Sequence, residues 1–322
     1  MFNLPEIDSM TLEGYRLLRE GAGLIDLPHF AALELTGDDR RGWLQGQVTS
    51  DLRNLADGGS VAFCMCKPTG QLLAFGTVWD LPDRFILTIP VRAIESVLER
   101  VEQMVILEDV AARIIQGPTL ISIQGPRASM ELQDLVKLPA LDAGTFQDGL
   151  WLRSNRTGLG GWDVLASAAL EKELRGRFRT VAASAYDIAR LEAGIPIFGT
   201  DTTPKTLPPE IGPAFVETHI SYTKGCYTGQ EVIMRIHSRG HTNRTWMGLI
   251  AEGQLRSGDL ISAGDLNDAG SITSCALSPA YGPVGAAYVR NEAAHHDATV
   301  VVHSSSGEVP AKLQHMPLLT LA

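Results

Sequence analysis

The sequence has few cysteines, no excess of basic residues and no long apolar segment, and each shortage excludes a class of protein. Four cysteines in 322 residues are too few for a disulfide scaffold, so we expect free thiols in a reducing compartment. The net charge of −10 argues against direct nucleic-acid binding, which usually requires a basic face. No apolar run approaches the length of a membrane span, about 18 residues, and the first ten residues lack the features of a signal peptide. We therefore expect a cytoplasmic protein with no membrane or nucleic-acid partner.

The order of strand-like and helix-like segments predicts an α+β fold. Residues 61–66, 71–79 and 85–89 are apolar and strand-like, and helical spacing follows over residues 91–105. Strands lead to helices without alternating strictly with them, which favours α+β layers over a doubly wound parallel sheet. The sequence after Arg244 consists of short apolar stretches separated by Gly, Ser and Asp turns, a pattern typical of a small all-β barrel. The predicted domains are residues 1–244, with two α+β modules, and residues 245–322.

Three patterns that would indicate a dinucleotide or a metal are incomplete. Residues 21–23 (Gly-Ala-Gly) lack the third glycine and the strand-to-helix context of a dinucleotide fingerprint. Cys64 and Cys66 have no second pair of ligands at zinc spacing, and His237 and His241 have no third ligand. We therefore predict no metal site, and we expect Cys64 and Cys66 to be buried on one face of a strand.

The most informative segment is residues 224–231, Lys-Gly-Cys-Tyr-Thr-Gly-Gln-Glu. Thr228 and Glu231 have the spacing of a capping box, which predicts that a helix begins here. Cys226 would then lie just outside a helix N-terminus, where the macrodipole favours an anion, and Lys224 would add a positive charge. Both effects lower the pKa of a thiol. The local sequence leaves a second interpretation open, in which Cys226 is a buried, inert hydrophobe.

Glu192 occupies an unfavourable position in a predicted helix. It lies in the last turn of a helix that Gly194 ends, where the negative end of the macrodipole disfavours a carboxylate by about 0.3–1 kcal/mol. Such a placement suggests a functional reason. Because a carboxylate can accept two parallel N–H bonds, Glu192 suits the edge of a guanine-like or pterin-like heterocycle. The alternative is an ion pair with a nearby Arg or Lys.

Basic residues are concentrated in the helix predicted to begin near Thr228 and in the segment that follows it. They are Arg235, His237, Arg239, His241 and Arg244. Cations late in a helix ordinarily make a favourable contact with the macrodipole. The functional alternative is a docking site for an anionic tail.

Residues 224–231 together with Arg235 resemble the signature of the YgfZ family of folate-binding, iron–sulfur-related proteins, which are relatives of the glycine-cleavage T-protein, an aminomethyltransferase. Four further segments carry the same resemblance: residues 21–27, 190–196, 198–201 and 209–210. The resemblance implies three modules arranged around a central opening in which tetrahydrofolate binds, with a C-terminal barrel.

The resemblance also implies roles for individual residues. Tetrahydrofolate, or a derivative, would be bound by five side chains: Arg190, Glu192, Tyr227, Gln230 and Arg235. Glu192 would hold the pterin edge, Arg190 would support that site, and Arg235 would meet the glutamate tail. Cys226 would be a reactive thiol near the opening, with Lys224 beside it.

One departure from the T-protein pattern changes the expected activity. T-proteins resemble one another in carrying an Asp-Asp pair, which includes the catalytic acid, on a strand that here reads as residues 72–79 without any acid. Ala or Phe cannot polarise an amine. The resemblance therefore implies an accessory protein that supports assembly or repair of iron–sulfur enzymes, and through them tRNA modification, with those enzymes or assembly proteins as partners.

Two alternatives remain open from the sequence. The first is a folate-dependent aminomethyl or one-carbon transferase with a relocated acid, at Asp80 or Asp83. The second is a Cys–His hydrolase that uses Cys226 with His237 or His241, although the sequence offers no orienting third residue.

Overall fold

The chain forms two five-stranded antiparallel sheets and a six-stranded barrel, connected by helices. The computed structural model describes residues 6–133, 138, 142–146, 148–305 and 307–319. The helices are α1 (Ser9–Glu20), α2 (Arg40–Gln47), α3 (Ile94–Met104), α4 (Ala128–Gln133), α5 (Ala168–Arg177), α6 (Ala183–Glu192), α7 (Pro213–His219) and α8 (Gln230–Arg239). Short 3-10 helices cover Val91–Ala93 and Pro208–Ile211.

The strands follow the alternating and apolar runs of the sequence. They are β1 (Gly23–Asp26), β2 (Phe30–Thr36), β3 (Ser60–Cys66), β4 (Leu72–Leu81), β5 (Arg84–Pro90), β6 (Ala111–Ile114), β7 (Thr119–Gln124), β8 (Ala143–Phe146), β9 (Gly149–Ser154), β10 (Gly161–Ala166), β11 (Arg244–Ala251), β12 (Leu260–Ala263), β13 (Leu266–Ser278), β14 (Gly282–Arg290), β15 (Thr299–Ser304) and β16 (Gly307–Gln314).

The first sheet has the order β3-β4-β5-β2-β6, and both of its faces are buried. Phe63 and Met65 of β3 belong to a core that also contains buried residues of α2 and α3. Cys64 and Cys66 lie on the opposite face, in a cluster with buried residues of α7, α8 and the barrel. This alternation follows from the two-residue period of a strand, and the two thiols are buried on one face as predicted.

The second sheet has the order β1-β7-β10-β9-β8. Helices α4 and α5 cover one face through Leu132, Leu170 and Leu174. The two sheets also contact each other, because Trp79 and Ile86 of the first share a cluster with buried residues of β8, β9 and β10.

The C-terminal strands close into a barrel in the order β11-β14-β13-β12-β15-β16. Its interior is filled by apolar side chains that include Leu249, Val289 and Leu313. The predicted α+β fold with a C-terminal all-β barrel is therefore confirmed. The first barrel strand begins at Arg244, while the division into domains 1–244 and 245–322 stays a prediction.

Helix α6 lies between α1 and the barrel strands β13 and β14. Gly14 of α1 lets the two helices approach closely, since a Cβ at that position would be 3.0 Å from the Cβ of Ala185. The C-terminal tail returns to the same helix, where the amide of Leu319 donates to the carbonyl of Glu192 at 2.9 Å. Helix α6 therefore meets elements from the beginning and the end of the chain.

None of the described helices is both long enough and apolar enough to cross a membrane.

Candidate functional site

Helix α8 begins one residue later than the capping box predicts. Gly229 is its N-cap, with a φ of +86°, and no side chain caps the helix. The capping-box prediction for Thr228 and Glu231 is therefore wrong. The physical reason is the turn between β3 and β4, which lies so close that a Cβ on Gly229 would be 2.6 Å from the carbonyl oxygen of Lys67. A contact distant in sequence, and not a local cap, determines where the helix starts.

Lys224 is buried and joins the motif to the C-terminal end of α2. Its ammonium group donates to three backbone carbonyls, of Gln45 at 2.7 Å, Val48 at 2.6 Å and Ser50 at 2.8 Å. Carbonyls at a helix C-terminus lack helical partners, so Lys224 satisfies groups that would otherwise be unpaired. Burial lowers the pKa of Lys224 to about 8. We call Lys224 and the backbone of residues 45–50 the motif anchor.

His219 extends the motif anchor from α7. Its carbonyl accepts hydrogen bonds from the hydroxyls of Thr49 at 2.5 Å and Ser50 at 2.9 Å. Its ring stacks on Phe215 with centroids 3.8 Å apart, and Nδ1 lies 3.0 Å from the carbonyl oxygen of Phe215. Nδ1 also lies 2.8 Å from the hydroxyl of Thr218. In the tautomer with the proton on Nδ1, that proton is donated to the carbonyl of Phe215 and Nε2 carries the lone pair. Burial lowers the pKa of His219 to about 4.

Cys226 is exposed, unlike Cys64 and Cys66. Burial raises the pKa of the Cys66 thiol to about 12 and that of Cys64 well above its ordinary value, so both are inert as nucleophiles. The three N–H donors of Lys224 are all used by backbone carbonyls. The anchored loop therefore presents Cys226 to solvent, and the interpretation of Cys226 as a buried hydrophobe is wrong.

The other motif residues have different environments. Tyr227 is buried beside Cys64 and Cys66, and its hydroxyl has no hydrogen-bond partner among the described residues. Gln230 makes a long contact of 3.4 Å to the carbonyl oxygen of Gly225. Arg235 is exposed.

The basic residues after the motif do not form one cluster. His237 stacks on Tyr222 with ring centroids 3.7 Å apart. Arg244 pairs with Glu210 at 3.1 Å and lies over the ring of Tyr288 at 4.3 Å. His241 is exposed. The side chain of Arg239 lies outside the described part of the structure.

Glu192 is completely buried and forms an ion pair with Arg19. Its Oε2 accepts from Arg19 at 2.6 and 3.1 Å and from the hydroxyl of Tyr15 at 3.1 Å, while Oε1 accepts from Ser278 at 2.6 Å. A heterocycle edge would need both oxygens. Binding of a pterin by Glu192 therefore requires Arg19 or Tyr15 to move.

Arg190 joins the same helix to the barrel. Its guanidinium donates to Asp201 at 2.9 Å and to the hydroxyl of Ser274 at 3.0 Å. Asp201 in turn accepts from Ser274 at 2.6 Å and from Thr273 at 2.5 Å. We call this network, together with the partners of Glu192, the α6 junction. Its members are Tyr15, Arg19, Arg190, Glu192, Asp201, Thr273, Ser274 and Ser278.

Sequence reasoning missed most partners in the α6 junction. Tyr15 and Arg19 are four residues apart in α1, so they share one face of that helix, and their spacing is a signal that the sequence contains. Ser274 and Ser278 are ordinary strand residues, and nothing in the sequence marks them.

Residues 72–79 of β4, which contain no acid, are packed with apolar groups. Ala74 is fully buried in the core of the first sheet. Phe75 contacts Phe215 and Phe198 edge to face, with ring centroids 5.4 and 5.7 Å apart, and lies 6.3 Å from the ring of His219. We call the side chains of Phe75, Phe198, Phe215 and His219 the aromatic cluster.

The two acids considered as replacements lie elsewhere. Asp80 is buried and pairs with Arg41, and burial raises its pKa. It is five residues beyond Phe75, or roughly 16 Å along the strand. Asp83 is exposed and pairs with Arg84 at 3.3 Å. Neither acid belongs to the aromatic cluster.

No group of three or more His, Cys, Asp or Glu side chains among the described residues has an arrangement that would hold a metal ion.

The sequence is similar to known proteins over nearly the whole chain. An aminomethyltransferase of Halalkalibacterium halodurans is 27% identical over 98% of this chain and 91% of its own length. One from Chloroherpeton thalassium is 25% identical over 99% of this chain and 93% of its own length.

Among solved structures, the glycine cleavage system aminomethyltransferase T of Bartonella henselae matches this fold with a TM-score of 0.85. Its sequence is 22% identical, and the match covers 98% of this chain and 91% of that one. Residues 5–169 match the family model described as the GCVT N-terminal domain. Since these residues make up just over half of the chain, the protein belongs to the GCV_T family.

Proposed function

We propose that this protein binds a tetrahydrofolate cofactor and acts as a folate-dependent one-carbon transferase. The observation that carries the proposal is the match over nearly the full length of proteins named aminomethyltransferase. These relatives favour a transferase over the iron–sulfur accessory protein that the motif resemblance implies.

The proposed folate site centres on α6 and the motif loop. Glu192 and Arg190 would face the pterin end, with Tyr227, Gln230 and Arg235 on the motif side. Exposed Arg235 suits an anionic glutamate tail, because a guanidinium binds carboxylates through two N–H groups. Glu192 would exchange part of its bonding with Arg19 and Tyr15 for the heterocycle.

Titration calorimetry with tetrahydrofolate tests the binding. We expect Glu192→Gln to raise the Kd at least tenfold, since one acceptor oxygen becomes a donor, and Cys226→Ala to have a smaller effect. Asp163→Asn is a matched control, because Asp163 is also a buried carboxylate held by an arginine, at 2.5 Å from Arg156. Failure of the intact protein to bind any reduced folate would remove the proposal.

We propose His219 as the group that meets the amine in the transfer reaction. It is the polar ring of the aromatic cluster, and its Nε2 atom makes no hydrogen bond to another described residue. The tautomer that has its proton on Nδ1 leaves a lone pair on Nε2. A neutral imidazole in this place accepts an N–H bond or a proton from the reacting amine, which Ala74 and Phe75 cannot do. The exposed acid Asp83 and the paired acid Asp80 are the competing assignments.

Formation of methylenetetrahydrofolate from tetrahydrofolate and an S-aminomethyl donor, with release of ammonia and the free thiol, distinguishes these assignments. His219→Phe preserves the stack on Phe215 and is expected to lower kcat by about 100-fold or more. Asp83→Asn is expected to leave kcat unchanged. Turnover that survives His219→Phe and is lost in Asp80→Asn or Asp83→Asn would instead identify a relocated acid.

The second candidate is a folate-binding accessory protein for iron–sulfur enzymes and for the tRNA modification that depends on them. Two features of the chain favour it. Cys226 is an exposed thiol, and the strand positions Ala74 and Phe75 are buried apolar residues with no acid. The relevant test replaces the gene with a Cys226→Ala copy and measures the activity of iron–sulfur enzymes in extracts. Normal activities beside measurable one-carbon turnover would exclude this candidate.

A further inference from the structure

The outward side of α3 carries a shallow groove of about 510 Å3. Six residues line it: Val91, Ile94, Glu95, Leu98, Glu99 and Glu102. Val91, Ile94 and Leu98 are three and four residues apart, so they form one stripe along the helix. Ile94 and Leu98 also pack against the core of the first sheet. The floor of this α3 groove is therefore supported by the folded protein beneath it.

Exposed apolar side chains are concentrated around the same helix. Of the seven large apolar side chains that are clearly exposed in the described residues, four lie within residues 91–107: Val91, Met104, Ile106 and Leu107. Ile106 and Leu107 are 82% and 94% exposed. Single exposed apolar residues are normal, but a local concentration marks an interaction site.

The turn that displays Ile106 and Leu107 is held in place. The carboxylate of Glu108 accepts hydrogen bonds from the amides of Ile106 at 2.9 Å and Leu107 at 3.1 Å. These two bonds keep the backbone folded, so the apolar side chains extend outward from a defined turn.

The rim of the α3 groove is acidic, and its carboxylates have no cationic partner among the described residues. Glu95, Glu99 and Glu102 are exposed, and none of them forms an ion pair or hydrogen bond with another described residue. Like charges at this spacing destabilise a helix, and a carboxylate in the last turn, as at Glu102, opposes the macrodipole. Residues placed against local preference indicate a purpose outside the isolated helix.

We infer that the α3 groove binds a cationic amphipathic helix of a partner protein. The apolar stripe would receive the leucine-like face of that helix, and the three glutamates would pair with lysines or arginines on its flanks. Val91 to Glu102 spans eleven residues of rise, or roughly 16 Å, which corresponds to about three turns of a bound helix. Charge complementarity selects this occupant over an acidic or neutral one.

The same charges disfavour other occupants. Two copies of the chain meeting through this face would bring two acidic rims together in a protein of net charge −10. Anionic lipid headgroups and nucleic-acid phosphates would be repelled as well.

A pair of synthetic peptides tests the inference on the whole 322-residue chain. One is a 15-residue helix of leucines at helical spacing flanked by lysines, and the other replaces each lysine by glutamate. Fluorescence anisotropy is expected to give a Kd on the order of 10 μM for the lysine peptide, weakening several-fold when salt rises from about 0.05 to 0.5 M. Binding of both peptides with equal affinity, or of neither, would overturn the inference.

Charge reversals locate the site. The triple variant Glu95→Lys, Glu99→Lys and Glu102→Lys is expected to lose at least tenfold in affinity. The matched control is Glu217→Lys, Glu252→Lys and Glu292→Lys, which changes the net charge equally at exposed acids elsewhere and is expected to bind as wild type. Equal losses in the two variants would show only a general charge effect and would contradict a site on α3.

Val91→Asp tests the apolar stripe. Because Val91 is 45% exposed, this substitution is not expected to destabilise the fold. We expect at least a fivefold loss of peptide affinity with an unchanged unfolding temperature. Sedimentation of the unliganded protein provides the remaining test, because a dimer that Val91→Asp dissociates would assign the groove to a second copy and overturn the inference.

Discussion

The α6 junction and the motif anchor both bury charged side chains, but they neutralise them differently. In the α6 junction, cations face anions: Arg19 lies 2.6 Å from Glu192, and Arg190 lies 2.9 Å from Asp201. In the motif anchor, Lys224 faces three neutral carbonyls. Removing one member of an ion pair leaves a buried charge, whereas removing Lys224 leaves neutral acceptors. The difference teaches that the cost of replacing a buried charged residue depends on whether its partners are charged or neutral.

The largest expected effect is at Glu192. Glu192→Leu leaves the guanidinium of Arg19 buried without its partner, which should lower the free energy of unfolding by about 3–5 kcal/mol. Urea unfolding measures this loss. The double variant Arg19→Met with Glu192→Leu is expected to recover at least half of it. A loss below about 1 kcal/mol for Glu192→Leu would remove the distinction between the two regions.

A smaller loss is expected in the motif anchor. Lys224→Met leaves three carbonyls at the end of α2 without a donor, and we expect the free energy of unfolding to fall by about 2–4 kcal/mol. Lys205→Met, at an exposed lysine, is the control and should change it by less than about 0.5 kcal/mol. If Lys224→Met matches this control, water has replaced the ammonium at no cost.

Acid sensitivity provides a third comparison. The pKa of His219 is about 4 in the folded protein and 6.5 in its ordinary state, so between these values the unfolded chain binds more protons. The contribution of His219 is fully present above pH 6.5 and is lost as the pH falls towards 4. His219→Phe should reduce the loss of stability between pH 7 and 4.5 by about 2 kcal/mol. Parallel pH profiles of the two proteins would show that His219 is not held neutral.

The smallest effect is expected at the start of α8. Gly229→Ala places a Cβ against the carbonyl of Lys67 at a positive φ, which should lower the free energy of unfolding by about 1–2 kcal/mol. Gly225→Ala is the matched control in the same loop, since no atom lies within 4 Å of its added Cβ. Equal thermal unfolding of the two variants would argue against the close contact between the turn and the motif.

Local patterns predicted the elements better than their connections. Alternating and apolar runs indicated the strands of the first sheet and of the barrel, because each pattern acts over a few residues. The start of α8 lies one residue later than predicted, because the contact between Gly229 and Lys67 has no local signal in the sequence. The partner of Glu192 was also out of reach, because Arg19 lies 173 residues away.

The charged motif residues illustrate the same limit. The sequence predicted an unusual carboxylate at Glu192 and left an ion pair open, and the structure shows that pair. Lys224 was expected to serve Cys226, yet its ammonium is used by α2, because only the folded chain brings residues 45–50 to the motif. The exposure of Cys226 likewise follows from this anchoring and not from its immediate neighbours.

The return of the C-terminal tail to α6 has a consequence for how the protein is made. More than a hundred residues separate Glu192 from Leu319, whose amide donates to it. At about 5–20 residues per second, synthesis of that interval takes on the order of ten seconds. During this time Arg19 and Glu192 have already been synthesised, but the barrel serines and the C-terminal tail that complete their surroundings have not. The half-made protein therefore exposes a future interior to solvent, and its yield in cells should depend on how well chaperones protect that interval.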